Sequence, residues 1–289
     1  MARVDLHMHS TASDGTRSPS ELAVMASGKS LALFSLTDHD TLDGVPEAAA
    51  TAAVEGVDFV AGVELSVNLD TAGLTAHLLG YFPDSEPEEL IDSDTPLGRA
   101  IAFVQGGRER RNPLILKKLS SNGINIDMNR VRTIAGGDVV GRPHIAQAML
   151  EEGYVGSMQE SFNRFLARGK PAYVERDRLP VIRAIELIRN AGGLAVMAHP
   201  GYIQMDRTEL QQFFGRMKTA GLSGIEVYYP THEPATVKML KNFACEFDLF
   251  VTGGTDYHGR DREAAPLGGT EKGFHVDSEK VEEFMDICL

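Results

Sequence analysis

Cysteine is nearly absent. Cys245 and Cys288 stand far apart and outside any CxxC pattern, so no disulfide framework is expected. No apolar run approaches the roughly 20 residues that cross a bilayer, which excludes a spanning helix on sequence grounds. Met1 leads straight into the first apolar run with no signal-peptide pattern before it, and a cytoplasmic protein is expected. Internal repeats and low-complexity tracts are also missing. Positive charge is scarce: 28 Lys/Arg face 41 Asp/Glu, a net charge of −13. That balance argues against a nucleic-acid coat protein, so no stable DNA binding is expected and no membrane partner.

What remains is one large domain, or a domain with an insertion, in 289 residues of which 43% are hydrophobic. Short β-rich runs alternate with helical patterns. Strands are read near 2–6, 31–36, 57–64, 75–81, 194–198, 223–228 and 249–254, with helices near 19–28, 44–55, 179–191, 206–220, 234–246 and 278–287. Ser18, Pro19 and Glu21 mark the first helix with a capping box and a proline at its start. Seven strands in βα order favour an α/β fold, a (β/α)7 barrel, over an open sheet.

The order breaks after Tyr81. Helices alone are expected near 97–121, 127–135, 143–152 and 157–168, an all-helical cap inserted between the fourth and fifth strands. The division is therefore a barrel over 1–83 and 176–289, with a cap over 84–175. From Arg99 to Arg142 nine Lys/Arg meet only three acids, Glu109, Asp127 and Asp138. An acidic body with a basic insert suits an anionic ligand, although most of these cations read better as a solvated helix face of mixed charge.

Histidine is where the pattern sharpens. In "VDLHMHSTASDGT" His7 and His9 leave the first strand on alternate positions and hence on one side, and Asp14 can return from the loop. His39 follows the second strand in "TDHD", Glu64 closes the third, and His77 lies in the fourth. His199 follows the fifth strand, and Asp256 and His258 follow the seventh in "GGTDYH". Six of the nine histidines thus fall at expected carboxyl ends of strands, the rim where barrels build active sites. With Asp14, Glu64 and Asp256 they supply more ligands than one ion takes, so two or three divalent ions are implied. Mixed nitrogen and oxygen donors suit Mn, Zn or Fe.

"DLHMHS", "SDG", "TDHD", "GVE", "AHLLGY", "MAHPG" and "GGTDYHG" together resemble the PHP (polymerase and histidinol phosphatase) metal-dependent phosphoesterases. The cap segments "VGRPHIAQAML" and "FLARGKPAYV" resemble one branch, the 3′,5′-nucleotide bisphosphate phosphatases, some of which trim RNA 5′ ends. The resemblance implies a distorted barrel and three divalent ions, with Mn expected. One ion would take His7, His9, Glu64 and Asp256. A second would share Glu64 with His77 and His199, and a third would take Asp14, His39 and His258. Thr255 stands where many relatives carry serine.

Arg142, His144 and Lys170 are carried over from the cap motifs as substrate-binding residues. Asp38 and Asp40 are expected to orient their neighbours, and His232 is left outside the ligands. The nucleophile is a water acidified by the ions, with no side chain assigned as a further catalyst. The expected reaction is removal of the 3′-phosphate of a nucleoside 3′,5′-bisphosphate, with short RNA as a second substrate. Histidinol-phosphate phosphatase, an amidohydrolase and a non-catalytic metal-binding regulatory module are the rivals. No lysine stands at a strand end to serve as the carboxylated bridge that many amidohydrolases use.

Overall fold

Alternating apolar runs become nine strands in the computed structural model, which describes all residues except 1, 70, 72, 137–138, 260–264 and 270–272. Asp138, one of the acids in the basic segment, lies outside the described residues. The strands are β1 (Arg3–Asp5), β2 (Leu31–Leu36), β3 (Asp58–Asn68), β4 (Thr75–Phe82), β5 (Leu179–Pro180), β6 (Leu194–Met197), β7 (Gly224–Tyr228), β8 (Phe250–Gly253) and β9 (Val276–Asp277). Their order is β8-β7-β6-β4-β3-β2-β1-β9, with β5 paired to β3. Beyond the ends of β1 and β8 the sheet meets itself. Leu6 N donates to Gly253 O at 3.2 Å, Asp256 N to His7 O at 2.8 Å and His9 N to Tyr257 O at 2.8 Å. The result is a distorted seven-stranded α/β barrel, with β5 and β9 as two-residue additions.

One strand departs from the expected parallel order. β4 runs antiparallel to both β3 and β6, whereas the pairs β1–β2, β2–β3, β6–β7 and β7–β8 are parallel. The physical reason is the connection: only residues 69–74 separate β3 from β4, enough for a hairpin and too few for a crossover. His77 therefore lies near the amino end of its strand, not the carboxyl end. It still reaches the same rim, because it pairs with Ser66 near the carboxyl end of β3.

Helices fill the intervals. They are α1 (Pro19–Gly28), α2 (Val45–Glu55), α3 (Pro87–Leu90), α4 (Pro96–Ser120), α5 (Met128–Ala135), α6 (Arg142–Glu151), α7 (Met158–Ser161), α8 (Val181–Asn190), α9 (Arg207–Ala220), α10 (Pro234–Glu246) and α11 (Glu282–Cys288). At α1 the capping box forms on both sides: Glu21 N donates to Ser18 Oγ at 3.1 Å and Ser18 N to Glu21 Oε2 at 2.8 Å. The helix expected over 157–168 is shorter and changes pitch, α7 passing into a π turn over Phe162–Leu166.

Core residues separate by position. Val4, Leu6, Leu33, Val60, Leu79, Tyr81 and Val196 fill the barrel interior, where Tyr81 donates its hydroxyl to Leu6 O at 2.7 Å. Ile115, Leu119, Val131, Ile145, Met149 and Leu166 pack into a second core among α4–α7. α4 joins the two regions. Its first turns bury Leu97, Ile101 and Val104 against the barrel side, and its last turns bury Ile115 and Leu119 in the helical core. Each such buried aliphatic side chain contributes about 1.5–3 kcal/mol, which fixes the helical segment over the rim.

Candidate metal centre

Buried carboxylates build the rim before any ligand is considered. Asp5, fully buried at the end of β1, accepts from Thr255 N at 2.9 Å, Thr255 Oγ1 at 2.6 Å and Gly268 N at 2.8 Å. This ties the loop after β8 to β1 and so brings Asp256 beside His7. Asp38 accepts from Ser10 N at 2.8 Å and Ser10 Oγ at 2.6 Å, and also from Ser13 Oγ, which fixes the loop that carries Asp14. Asp40 accepts from Ser66 N at 2.7 Å and Ser66 Oγ at 3.0 Å. Both aspartates flanking His39 thus hold backbone and hydroxyl groups. Asp40, His199 and Asp256 have φ of 55°, 26° and 55°, sparsely populated for non-glycine residues and costly enough to need the surrounding bonds.

Glu64 is the centre of the cluster. Its Oε1 lies 2.9 Å from His77 Nδ1, 3.0 Å from His199 Nε2 and 3.4 Å from His7 Nε2. Its Oε2 lies 2.7 Å from His39 Nδ1 and 3.4 Å from His9 Nε2. Asp256 Oδ1 lies 2.9 Å from His9 Nε2 and 3.3 Å from His7 Nε2, and Asp14 Oδ1 lies 3.2 Å from His258 Nε2. All nine side chains expected as ligands therefore meet at one rim. Eight of the nine fall into three overlapping groups of donor atoms, His7–His9–Glu64–Asp256, His39–Glu64–His77 and His9–Asp14–His39–His258, and His199 lies outside them, reaching the cluster through Glu64 Oε1. His9 and His39 each face two groups, a sharing that spacing along the chain does not reveal.

The donor set fits cations. His7 Nε2, both ring nitrogens of His9, His39 Nδ1, Glu64 Oε2 and Asp256 Oδ1 are buried, and although several face one another at 2.7–3.4 Å, none makes a well-angled hydrogen bond among the described residues. Each buried polar atom left this way costs about 1–3 kcal/mol, and coordination to a divalent ion would satisfy them together. Burial would raise the Glu64 carboxyl, but His77, His39 and His7 outweigh it and hold it well below the usual carboxylate range. Burial, with His258 and His39 alongside, pushes the His9 imidazole down to about 3, leaving it neutral and its lone pair available. The group has the composition of a multinuclear N/O site.

Other residues orient the cluster, and the sequence reading passed over two of them. Glu226, fully buried in β7, lies 2.9 Å from His7 Nδ1 through Oε1, and its Oε2 accepts from His199 N at 2.6 Å. Tyr229 donates its hydroxyl to Asp256 Oδ2 at 2.8 Å. A glutamate inside the apolar run "GIEVY" was the available signal for the first. His232 is occupied elsewhere, with Nδ1 2.9 Å from Val227 O and Nε2 accepting from Gly201 N at 3.2 Å.

A cavity of about 300 Å³ opens beside the cluster, lined by Asp14, His39, His77 and His199 together with Arg108, Arg111, Arg142, Arg176 and Arg178. Arg142 thus lines this cavity. His144 is buried at the start of α6, where its Nδ1 accepts from Gly141 N at 3.1 Å, and it lines a separate cavity with Asp14 and His258. Lys170 is exposed in the turn before Tyr173 and does not line the arginine-walled cavity. Arg176 and Arg178, from "ERDR" just before β5, were not singled out in the sequence.

The chain is matched over residues 5–217 by the family model described as PHP domain. It is 32% identical to a 3′,5′-nucleoside bisphosphate phosphatase of Chromobacterium violaceum, covering 94% of this chain and 92% of that protein. It is 33% identical to a 5′-3′ exoribonuclease of Haemophilus influenzae, covering 95% and 94%. A crystal structure described as a metal-dependent phosphoesterase from Bifidobacterium adolescentis superposes with a TM-score of 0.83 at 26% identity, covering 100% of this chain and 97% of that one.

Proposed function

Since the chain belongs to the PHP-domain family and is a hydrolase of phosphate esters, we propose that its substrate is a nucleoside 3′,5′-bisphosphate, which loses its 3′-phosphate to leave the 5′-monophosphate. The observation that carries this reading is a cavity lined both by metal-capable side chains and by five arginines. Such a space accepts two phosphoryl groups at once. The relative named as a bisphosphate phosphatase supports the choice.

His7, His9, Glu64 and Asp256 would hold one divalent ion. Glu64 with His77 and His199, whose nitrogens lie 2.9 and 3.0 Å from Glu64 Oε1, would hold a second, and Asp14, His39 and His258 a third, with His9 and His39 near enough to be shared. Ions bound there supply Lewis acidity toward the phosphoryl oxygens and lower the pKa of the attacking water. The chain's own residues do the rest. Glu226 fixes the ring of His7, Tyr229 fixes the Asp256 carboxylate, and Arg142 binds the anionic substrate as it reaches the rim. Residues 84–175 act as a cap over the barrel of 1–83 and 176–289, excluding water from the bound ester.

The test compares adenosine 3′,5′-bisphosphate with 3′-AMP and 5′-AMP, following phosphate release and the nucleotide product. The bisphosphate should lead in kcat/KM by at least about 10-fold, equivalent to roughly 1.4 kcal/mol, because the remote phosphate orients the reacting one. Preference for histidinol phosphate, or release of the 5′-phosphate, overturns the assignment. A short 5′-phosphorylated RNA belongs in the same assay, given the exoribonuclease relative, and its turnover extends the reading to RNA ends. Elemental analysis after Mn²⁺ loading should approach three ions per chain; saturation at one overturns the trinuclear site.

A further inference from the structure

Asp40, the residue after His39, is gripped from outside its own loop. Its carboxylate is fully buried and its backbone has a φ of 55°. Oδ1 accepts from Ser66 N at 2.7 Å, and Oδ2 accepts from Ser66 Oγ at 3.0 Å. Those two bonds already occupy both oxygens. Two guanidinium groups nevertheless converge on Oδ2. Arg108 donates through Nε at 3.0 Å and through Nη2, and Arg176 through Nη1 and Nη2 at 3.2 Å each. One arginine would balance the charge of the carboxylate. The second adds a buried positive charge, which is unfavourable by itself.

Each arginine arrives on a different segment. Arg108 lies in the middle of α4, and from the preceding turn of that helix Gln105 Nε2 donates to Asp40 O at 3.0 Å. Arg176 lies just before β5, whose Leu179 and Pro180 pair with Val67 and Asn68 at the end of β3. Glu64 and Ser66 belong to that same strand. The backbone completes the circuit. Asp40 N donates to Glu64 O at 2.9 Å and Glu64 N to Asp38 O at 3.1 Å, so His39 and Glu64 stand side by side as a parallel bridge. Their side chains meet as well, with His39 Nδ1 2.7 Å from Glu64 Oε2. A barrel strand, the chain entering β5 and a helix from between β4 and β5 thus converge on the residue that follows a candidate ligand.

We propose that Arg108 and Arg176 are positioning residues of the metal centre: through Asp40 they hold the His39–Glu64 bridge, so that docking of α4 completes the ion sites that use His39. The inference rests on the metal reading above. His39 belongs to two of the three donor groups, whereas His7, His9, Glu64 and Asp256 form the other without it. That other group is braced separately, by Asp5 through the Thr255 loop and by Glu226 against His7. Loosening Asp40 should therefore weaken the His39 sites more than the remaining one. By linkage the effect is reciprocal: ions that bind the docked form better also strengthen the docking.

The experiment is calorimetric titration of the metal-stripped full-length protein with Mn²⁺, in the wild type and in Arg108→Gln, Arg176→Gln and Arg110→Gln. Arg110 is the control, since its exposed pair with Asp177 at 2.6 Å joins the same two segments without touching Asp40. Arg108→Gln and Arg176→Gln should each retain one tight equivalent and bind the others at least about 10-fold more weakly. Removing a positive charge beside the cluster would by itself strengthen cation binding, so this loss has the opposite sign from a pure charge effect. Arg110→Gln should match the wild type. In an Asp40→Asn background Arg108→Gln should add little, because both act through one carboxylate. A full additional loss there would overturn the proposal. Wild-type affinity in a folded Arg108→Gln or Arg176→Gln protein overturns it, and so does an equal loss in Arg110→Gln. If neither folds, amide hydrogen exchange of the wild type decides. Mn²⁺ should slow exchange across residues 105–112 of α4, none of which is a candidate ligand, and unchanged exchange overturns the proposal. A wild type that takes up no Mn²⁺ rejects the metal reading and this inference with it. Wild-type uptake with indifferent variants rejects this inference alone.

Discussion

Glu226 touches two of the cluster histidines, one through a ring nitrogen and one through the backbone, and it has no exposure to water. Its Oε1 sits where it can hold the Nδ1 proton of His7, which would leave Nε2, facing Glu64 and Asp256, as the atom that meets an ion. Glu226→Gln should keep the shape of the site and weaken metal binding by about 10–100-fold, measured by Mn²⁺ titration of the stripped protein. An unchanged affinity would mean that packing alone orients the ring. Asp256 calls for a different substitution, because its φ of 55° disfavours alanine. Asparagine tolerates that backbone and keeps an acceptor for Tyr229. Asp256→Asn should lower kcat by at least about 100-fold, or ~2.7 kcal/mol, with a normal circular dichroism spectrum. Near-normal turnover would remove Asp256 from the ligands.

At the scale of elements, barrel closure and the site are one feature. The chain beyond β1 pairs with the chain beyond β8 across His7, His9, Asp256 and Tyr257, so the segments that complete the sheet also carry the donors. Gly254 permits this approach: a Cβ there would lie 2.5 Å from both the backbone nitrogen and the Cβ of His7. Neither strand can retreat without breaking the pairing. Gly254→Ala should therefore destabilise the protein by about 1–3 kcal/mol in urea denaturation and reduce metal affinity as well. Gly28 is the control, since a Cβ there meets nothing within 4 Å. Gly28→Ala should be neutral or stabilising by up to about 1 kcal/mol. A Gly254→Ala protein with native stability would show that the rim has room to give.

For the whole molecule, the ions and the fold should be linked. Buried donors without hydrogen-bond partners make the metal-free rim the costly part of the structure. Chelation should lower Tm in calorimetry. Reloading with Mn²⁺ at about 100 times its Kd should restore roughly 2.7 kcal/mol per equivalent independent site. A Tm indifferent to chelation would contradict a metal role for the cluster. No helix among the described residues is long and apolar enough to cross a membrane.

Sequence alone determined the barrel class, and it pointed to helices after β4 and to metal-capable side chains behind several strands. It could do so because period-two and helical patterns are local, and because βα order sends the residues after parallel strands to one end. It did not reveal that β4 runs backwards, since direction depends on whether a six-residue link turns back or crosses over, and alternation reads the same both ways. Nor did it show that His9 and His39 lie between two ligand groups, that Glu226 reaches His7, or that Arg111 lines the cavity beside the cluster. Those are relations between residues dozens to hundreds of positions apart, such as the 219 that separate His7 from Glu226. Only closure of the barrel and docking of the helical segment bring such pairs within hydrogen-bonding reach. Tertiary structure alone decided how the donors and cations are shared.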